Sequence, residues 1–262
     1  MAKNQAKIYN EQDFAMMRKA GRLAAETLDF VTPFVKVGAK TIDLDKICHD
    51  FIIENGAIPA CLGYRGYKHT TCISINHVIC HGIPSEKALQ DGDIVNIDVT
   101  VILDGYFGDT SRMYNVGKVG VKGKRLVQAT YDSMMKAIEV VRPGATLGDI
   151  GHAIESYVSK FNYSVVEDFC GHGIGKVFHD YPNVLHYGEK GKGDVLQEGM
   201  IFTIEPMINV GKPDSIILSD GWTAITRDRT LSAQFEHTIG VTSNGYEIFT
   251  LSPKNWHYPP YE

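Results

Sequence analysis

Apolar residues in the first part of the chain recur at helical spacing and predict two amphipathic helices. Asn10 is expected to cap the first helix and Pro33 to end it. Its apolar face consists of Phe14, Met17, Leu23, Ala24, Leu28 and Val31. Thr41 is expected to cap the second helix. The apolar face of that helix consists of Leu44, Ile47, Cys48, Phe51 and Ile52.

Strand-like runs and two further helices are predicted in the rest of the chain. The runs are TCISI, DIVNIDVTVI, GDTSRMYNVG, MIFTIEPMI and FEHTIGVT. A third helix is predicted over about residues 122–141, and a fourth from a cap at Thr146 to about Phe161. This mixture of elements indicates an α+β protein.

Two pairs of segments resemble each other at nearly the same offset. VKVGAKTIDLDKICHDFI resembles VRPGATLGDIGHAIESYV, and GDIVNID resembles GMIFTIE, with offsets of 106 and 107 residues between their glycines. The alternative is that amphipathic elements resemble each other by chance, but two matching pairs at nearly the same offset disfavour it. We infer a single domain over residues 1–262 built of two related halves, about 10–117 and 122–250. A pseudo-twofold axis would relate the halves, and acids from both would meet between them.

Composition and charge narrow the class of protein. Of the 262 residues, 44% are hydrophobic and 22% charged, which is typical of a globular protein. A net charge of −5 gives no basic surface for nucleic acid. The polar start MAKNQAKIYN predicts no signal peptide, and no apolar run predicts a membrane span. Five cysteines without a CxxC motif indicate reduced thiols in the cytoplasm.

Four acidic residues lie in the strand-like runs: Asp98, Asp109, Glu205 and Glu236. A carboxylate in a central strand is costly unless a cation pairs with it. The alternative partners are the nearby arginines, Arg112, Arg227 and Arg229. These are too few to neutralise four acids in one core, whereas two divalent cations would do so. Oxygen-rich ligands with one nitrogen suit Mn, Fe, Co or Zn.

The stretch CGHGIGKVFHD contains two candidate histidines. His172 lies between two glycines, and His179 follows seven residues later. Two glycines around one side chain usually indicate a close approach of backbone or ligand. The alternative is that both histidines are core residues. With His172 as the nitrogen donor, the predicted metal ligands are Asp98, Asp109, His172, Glu205 and Glu236.

At these residues the sequence resembles the bacterial type I methionine aminopeptidases, of the pita-bread metallopeptidase family. The resemblance is carried by CLGYRGY, CISINHVICHGIP, DGDIVNIDVTVILDGYFGDTSRMY, CGHGIGKVFH, FTIEPM and DGWTAITRDRTLSAQFEHT. It covers nearly the whole chain, and the five ligands fall where the family has its dinuclear metal ligands. It implies the pita-bread fold, an antiparallel sheet core covered by helices. It also implies removal of N-terminal methionine from nascent proteins and peptides, with a preference for a small second residue.

The resemblance implies roles for further residues. The substrate-binding residues would be Cys61, Tyr64, Tyr67, Cys72, His81, Phe178, His179 and Trp222. A thioether packs well against aromatic rings and thiols, although core packing is the alternative for any one of them. A monovalent cation is implied at Asn76, Val78 and Ser232.

The family's reaction implies two divalent metal ions, from among Co, Mn, Fe, Zn and Ni. They would hold a bridging hydroxide facing the first peptide bond, while the free α-amine binds at or near one metal. Glu205 is expected to act as base and proton shuttle, and His179 and His81 as catalytic contacts to the substrate. A buried structural histidine is the alternative for His179. Both it and its neighbour Phe178 can reach the substrate only if the chain bends there or the cleft wraps around it.

Two other functions stay open. Prolidases and related proline-specific aminopeptidases share GHGIG and the five ligands. Non-catalytic binding proteins of this fold have lost ligands, whereas all five positions are filled here. The expected partners are the N-terminal methionine of nascent polypeptides and the ribosome, and we expect a cytoplasmic monomer.

One segment departs from the family pattern. Many members read GYPKSVCIS where this chain reads GYKHTTCIS, so that Lys68 replaces a proline and His69 and Thr70 follow it. The loop beside the pocket is therefore expected to differ in shape or mobility. The aromatic tail NWHYPPYE receives no assignment from the sequence.

Overall fold

The computed structural model of the protein describes residues 5–261. The helices are α1 (Glu11–Val31), α2 (Thr41–Glu54), α3 (Val121–Glu139) and α4 (Leu147–Val158), with short 3-10 helices at Thr32–Phe34, Tyr64–Gly66 and Ser159–Phe161. The strands are β1 (Ile58–Pro59), β2 (Thr71–Ile75), β3 (Val78–Cys80), β4 (Ile94–Leu103), β5 (Tyr106–Asn115), β6 (Ser164–Val165), β7 (Gly171–Gly173), β8 (Asp180–Val184), β9 (Ile201–Ile204), β10 (Met207–Asn209), β11 (Ser215–Ile217), β12 (Ala224–Thr226), β13 (Ser232–Gln234), β14 (His237–Val241) and β15 (Tyr246–Ile248). The predicted α+β class is confirmed.

Capping explains where two of the helices begin. The side chain of Asn10 accepts a hydrogen bond from the backbone N–H of Asp13, and the carboxylate of Asp13 accepts one from the N–H of Asn10. Thr146 and Asp149 form the same reciprocal pair at α4. Both predicted caps are therefore confirmed, and each satisfies backbone donors that the first helical turn leaves unpaired.

The predicted cap at Thr41 is wrong. Lys40 precedes α2, and its side chain makes no capping hydrogen bond. The hydroxyl of Thr41 instead donates to the carbonyl of Ser85 at 3.0 Å and accepts from the Ser85 N–H at 2.8 Å. The hydroxyl that the sequence assigns to helix capping is thus hydrogen-bonded to a neighbouring segment of the chain instead.

All strand pairings are antiparallel. One sheet pairs β4 with β1, β2 and β5, and a second has the order β15-β14-β9-β7-β8. Two three-stranded sheets, β13-β10-β6 and β11-β12-β3, complete the strands. The run MIFTIEPMI, predicted as one strand, is divided into β9 and β10, because Pro206 has no N–H to donate to a ladder.

Each pair of helices covers its own apolar core. Leu28 of α1 and Leu44 of α2 pack with Ile97 of β4 in one cluster of buried side chains. The larger cluster joins α3 and α4 to β9, β13 and β14, and includes Leu126 and Phe202. The arrangement of helices over antiparallel sheets agrees with the predicted fold. The boundaries of the two halves stay a prediction, and residues 1–4 and 262 lie outside the described range.

Hydrogen bonds connect β5 to the segment around β14. The N–H of Glu236 donates to the carbonyl of Ser111 at 3.2 Å. The hydroxyl of Thr110 donates to the carbonyl of Glu236, and that of Thr238 to the carbonyl of Asp109, both at 2.7 Å. These bonds fix the backbones of two predicted metal ligands, Asp109 and Glu236, beside each other.

Two expectations from composition agree with the structure. All five cysteines are free thiols. None of the helices within residues 5–261 combines the length and apolar character that a membrane span requires.

Candidate metal centre and substrate cavity

The five predicted metal ligands line one cavity of about 340 Å³. Asp98 and Asp109 lie on the neighbouring strands β4 and β5, and His172 lies on β7. Glu205 follows the last residue of β9, and Glu236 precedes the first residue of β14. Strand ends and strand centres from two sheets therefore bring four carboxylates and one imidazole together.

The ligand atoms lie at distances that suit a bound cation. One donor atom each from Asp109, His172 and Glu236 lie within 4.8 Å of one another. His172 Nε2 is 3.6 Å from Asp109 Oδ2 and 3.7 Å from Glu205 Oε1. Asp98 Oδ1 is buried and has no hydrogen-bond partner within the described residues. Burying a carboxylate oxygen without a hydrogen-bond donor costs free energy, unless a cation binds the oxygen in place of the donor.

The glycines beside His172 are required by close packing. A Cβ atom on Gly171 would lie 2.4 Å from the carbonyl oxygen of Thr203, and one on Gly173 would lie 2.3 Å from that of Tyr181. Only glycine fits between these backbones, so β7 can run close enough to its neighbours to present His172 to the cavity. Backbone approach, one of the two reasons expected for this GHG motif, is thus present.

The tautomer of His172 follows from its hydrogen bond. His172 Nδ1 lies 3.2 Å from the carbonyl oxygen of Gly173, which can only accept. Nδ1 therefore carries the proton, and Nε2 directs a lone pair towards the oxygens of Asp109 and Glu205. Burial lowers the pKa of His172 to about 4, so the ring is neutral near pH 7. A lone pair facing carboxylate oxygens is repelled unless a proton or a metal cation lies between them.

The charge of the acid cluster has no protein counterpart. No lysine or arginine nitrogen of residues 5–261 lies within 4.0 Å of these four carboxylates. Arg112, one of the arginines considered as a partner, pairs with Asp29 at 2.5 Å instead. Neutralisation of the acids by arginine, the alternative at the sequence level, is therefore wrong.

Burial and mutual repulsion disfavour ionisation of the unpaired acids. Burial raises the pKa of Asp109 to about 7. Burial, followed by the nearby charge of Asp109, raises the pKa values of Asp98, Glu205 and Glu236 well above their usual range. Four such carboxylates facing one neutral imidazole form a donor set that fits divalent metal ions.

Three residues that sequence reasoning did not assign to the site orient the acids. The hydroxyl of Thr100 donates to Asp109 Oδ1 at 2.7 Å, and that of Thr203 donates to Glu205 Oε1 at 2.7 Å. Gln234 donates to Glu205 Oε2 at 3.2 Å. The alternation of strand residues contains the signal: Thr100 lies two residues after Asp98, and Gln234 two before Glu236, so each shares a face with a ligand.

The other end of the same cavity is aromatic and sulphur-rich. All of the predicted substrate-binding residues line the cavity, namely Cys61, Tyr64, Tyr67, Cys72, His81, Phe178, His179 and Trp222. Sequence reasoning missed further lining residues: Arg65, Cys80, Asp168, Phe169, Cys170 and Met207. Four of the six lie within two residues of a predicted site residue, which is the signal that was available.

Aromatic contacts hold the walls of this end together. The ring centroids of Tyr64 and Phe178 are 4.9 Å apart, and those of Tyr67 and Trp222 are 5.0 Å apart. Residues 175–179 form bends rather than a strand. Neighbouring side chains of Phe178 and His179 therefore both face the cavity, with centroids 4.1 Å apart, and the expected bend is present.

His179 and His81 both line the cavity as neutral rings, and His179 lies beside the proposed metal ligand His172. The ring of His179 is 4.2 Å from that of His172, centroid to centroid. Burial, followed by His172, lowers the pKa of His179 to about 3, and burial lowers the pKa of His81. His81 has φ of 56°, a backbone conformation unusual for a non-glycine residue. A neutral imidazole offers one N–H donor and one acceptor to a substrate.

The residues predicted to bind a monovalent cation lie outside the cavity. The N–H of Ser232 donates to the carbonyl of Asn76 at 2.8 Å, and Val78 begins β3 two residues after Asn76. The hydroxyl of Ser232 is buried and has no hydrogen-bond partner within the described residues. This site stays a prediction.

Comparison with known proteins agrees with this geometry. A methionine aminopeptidase of Rickettsia prowazekii is 65% identical over 97% of this chain and 99% of its own length. One of Escherichia coli K12 is 54% identical over 93% of both chains. A crystal structure of the Rickettsia prowazekii methionine aminopeptidase has a TM-score of 0.93 and 64% identity, covering 94% of this chain and 100% of that chain.

The strands that carry the five donors fall inside the segment matched by a family model. The model of metallopeptidase family M24 matches residues 15–243. That segment contains the proposed metal ligands, the whole substrate cavity, helices α2 to α4 and all but the first turn of α1. The chain belongs to the metallopeptidase family M24.

Proposed function

We propose that this chain is a metal-dependent aminopeptidase that removes N-terminal methionine from nascent proteins and peptides, with a preference for a small second residue. The observation that carries the proposal is the single cavity that joins an aromatic, thiol-lined end to a cluster of four carboxylates and His172. Relatives that are 54–65% identical over most of the chain are methionine aminopeptidases, which supports the same substrate here.

The metal centre would hold two divalent ions, from among Co, Mn, Fe, Zn and Ni. The proposed ligands are Asp98, Asp109, His172, Glu205 and Glu236. Bound there, two such ions would supply Lewis acidity and an activated water for attack on the first peptide bond. Thr100, Thr203 and Gln234 hold the carboxylates in orientation from behind, as outer partners of metal ligands do.

Glu205 is the proposed proton carrier. Its pKa is raised by burial and by Asp109, so its carboxylate has a strong tendency to take a proton in this environment. Hydrogen bonds from Thr203 and Gln234 keep its two oxygens in place while it does so.

His179 and His81 are the proposed contacts to the peptide being cleaved. Each is neutral near pH 7, since burial lowers its pKa, and each can donate one N–H to a carbonyl oxygen. His179 lies against His172 on one side and Tyr64 on the other, with centroids 4.2 and 5.2 Å away. It is thus placed between the proposed metal centre and the proposed methionine pocket. Donation to an oxygen that gains negative charge stabilises the transition state.

The first side chain of the substrate would occupy the aromatic, thiol-lined end. Cys61 and Cys72 offer two sulphur atoms, while Tyr67, Phe178 and Trp222 offer ring faces and edges. An unbranched thioether packs well in such surroundings, whereas a charged or β-branched side chain does not. The cavity therefore favours methionine.

Further partners belong to the same proposal. N-terminal methionine is first exposed as a nascent chain leaves the ribosome, so we propose contact with ribosomes and action in the cytoplasm as a monomer. A monovalent cation held by Asn76, Val78 and Ser232 is also proposed. Sedimentation with ribosomes and light scattering test the partner and the oligomeric state.

A peptide assay with defined metal content tests the function. Protein stripped by a chelator should be inactive, and Mn, Co or Fe should restore activity. The reconstituted protein should cleave Met-Ala peptides faster than Met-Lys or Ala-Pro peptides. Faster cleavage of Ala-Pro would assign the chain to a proline-specific activity, and binding without turnover of any of the three would indicate a non-catalytic protein. Metal analysis of protein purified without added metal identifies the native ion.

A further inference from the structure

Two consecutive residues of the loop before β2 are fastened to one face of α2. His69 Nδ1 lies 3.5 Å from Asp45 Oδ2, within ion-pair range and close to a long hydrogen bond. Thr70 Oγ1 lies 2.9 Å from His49 Nδ1. Asp45 and His49 are four residues apart in the helix, so their side chains point in the same direction.

Asp45 connects this loop to the start of β2. Its second oxygen, Oδ1, accepts hydrogen bonds from the N–H of Thr71 at 2.8 Å and from the Thr71 hydroxyl at 2.7 Å. Thr71 is fully buried, and the next residue, Cys72, pairs with Asp98 across β2 and β4. The carboxylate thus fixes the chain one residue before a thiol of the cavity.

The ring of His69 also contacts the cavity wall. It meets the ring of Tyr67 edge-on, with centroids 5.9 Å apart. Tyr67 is 3% exposed and contacts Trp222 as well. The hydroxyl of Tyr67 donates to the carbonyl of Thr71 at 2.9 Å. Among the described residues that line the cavity, His69 is absent, so its effect on the cavity passes through Tyr67.

We propose that His69 is a positioning residue for the methionine pocket: paired with Asp45, it holds Tyr67 against Trp222 and thereby sets the width of the pocket. This inference rests on the proposed function. A buried ring held from behind cannot swing away when a substrate enters, so the pocket keeps a shape that fits an unbranched side chain. Without the pairing, the loop gains freedom and the wall becomes adjustable.

The test compares His69→Ala with a rescue variant and a neighbouring control. His69→Asn places an amide N–H near the position of Nδ1 and should restore the contact with Asp45. His69→Phe keeps a ring against Tyr67 but removes the contact with Asp45. Lys68→Ala changes the adjacent, exposed residue of the same loop. Circular dichroism and metal content establish that each variant is folded and loaded.

Steady-state kinetics with Met-Ala and norleucine-Ala peptides provide the first readout. We expect His69→Ala and His69→Phe to raise KM for Met-Ala about 3- to 10-fold, with kcat changed less than twofold. This change is smaller than, or at most equal to, the lower end of the roughly 10- to 200-fold that one methylene is worth in an apolar pocket. The preference for methionine over norleucine should fall. His69→Asn should stay within about twofold of the wild type, as should Lys68→Ala.

Fluorescence of Trp222 provides a readout that needs no turnover. Its emission should shift in His69→Ala and stay unchanged in Lys68→Ala, with Trp256 present in both. An equal fall in kcat for both peptides with unchanged KM, or equal effects of Lys68→Ala, would overturn the proposal. So would an unchanged Trp222 spectrum in His69→Ala. If the wild type itself fails to cleave Met-Ala, the proposed function fails, whereas the spectra still report on the position of Tyr67 and Trp222.

Discussion

His172 and Asp109 each hydrogen-bond to a neighbouring group through one side-chain polar atom and direct the other into the proposed metal centre. His172 Nδ1 contacts a backbone carbonyl, and Asp109 Oδ1 accepts from Thr100. The remaining atoms, Nε2 and Oδ2, are 3.6 Å apart, and both carry lone pairs when His172 is neutral. The individual residues therefore contain a repulsion that a bound cation would relieve.

Asp109→Asn tests this repulsion directly. We expect the variant to lose at least one of two metal ions and at least about 100-fold in activity, since even outer partners of ligands are worth 10–100-fold. With the metal removed, the variant should be at least as stable as the wild type, because one buried charge is gone. Elemental analysis and urea unfolding, with and without chelator, measure both effects.

Asp104→Asn is the matched control, since Asp104 lies exposed in the turn of the same β4–β5 hairpin. It should retain both ions. Full activity of the metal-stripped wild type, or full metal occupancy in Asp109→Asn, would contradict the proposed centre.

His179→Ala tests the proposed donor. Removing one hydrogen bond to an oxygen that gains charge typically costs ~10²–10³ in rate, so kcat should fall by that factor. Metal content and Tm should change little, because His179 is not a proposed ligand. His152→Ala, an exposed histidine of α4, serves as control. A loss of less than about tenfold in a folded, metal-loaded variant would instead favour a structural role.

At the scale of elements, the N-terminus of α1 anchors the segment that carries Phe178 and His179. Asp13 accepts hydrogen bonds from its own capping partner and, at 2.6 Å, from the hydroxyl of Tyr106 on β5. Lys176 Nζ lies 3.0 Å from the same carboxylate. One acidic residue thus joins a helix start, a strand and the bend beside the cavity.

The anchor predicts a pH-dependent part of stability. The hydrogen bond from Tyr106 contributes most to lowering the pKa of Asp13, which is about 2. A group with a lowered native pKa stabilises the fold above its unfolded value near 3.8 and loses that effect as pH falls towards 2. The difference in unfolding free energy between wild type and Asp13→Asn should therefore be largest above about pH 4 and shrink towards pH 2.

Urea unfolding in chelator at several pH values measures this difference without interference from metal release. Glu11→Gln, a change to an exposed acid in the same helical turn, should give a smaller difference across the same range. A difference for Asp13→Asn that does not vary with pH would rule out the anchor.

Physical patterns in the sequence predicted the four α-helices and the runs that form β2, β4, β5, β9, β10 and β14, but neither the other strands nor how the elements pair. Helical spacing located α1 to α4 to within a few residues, and charge balance predicted a centre for cations. The contact between His69 and Asp45 could not be predicted, because it joins a loop to a helix 24 residues earlier and neither residue has a periodic pattern. The prediction of a cap at Thr41 was wrong for a similar reason, because the carbonyl that accepts its hydroxyl proton belongs to Ser85, which is distant in sequence.

At the scale of the whole molecule, the C-terminal tail spans the two helix pairs. Tyr261 packs edge-on against Tyr114 and donates its hydroxyl proton to the carbonyl of Met113 at 2.7 Å. Tyr258 contacts Tyr131 of α3 and Phe235, which precedes Glu236. The tail that received no assignment from sequence therefore fastens β5 and α3 to each other.

Tyr261→Ala tests this fastening. We expect a loss of about 2 kcal/mol in unfolding free energy, from buried ring area and one hydrogen bond. Tyr246→Ala, an exposed tyrosine of β15, should change stability by less than about 0.5 kcal/mol. Differential scanning calorimetry compares the two variants. Equal losses of stability would contradict a stabilising role of the tail.

The uncompensated acid cluster also constrains how this fold can diverge. A lineage that ceased to use metal would inherit four carboxylates with no lysine or arginine beside them in residues 5–261. Those carboxylates would then destabilise the fold, and selection would remove them, because each neutral replacement relieves repulsion among the rest. Descendants that have lost catalysis should therefore have lost the acids as a group.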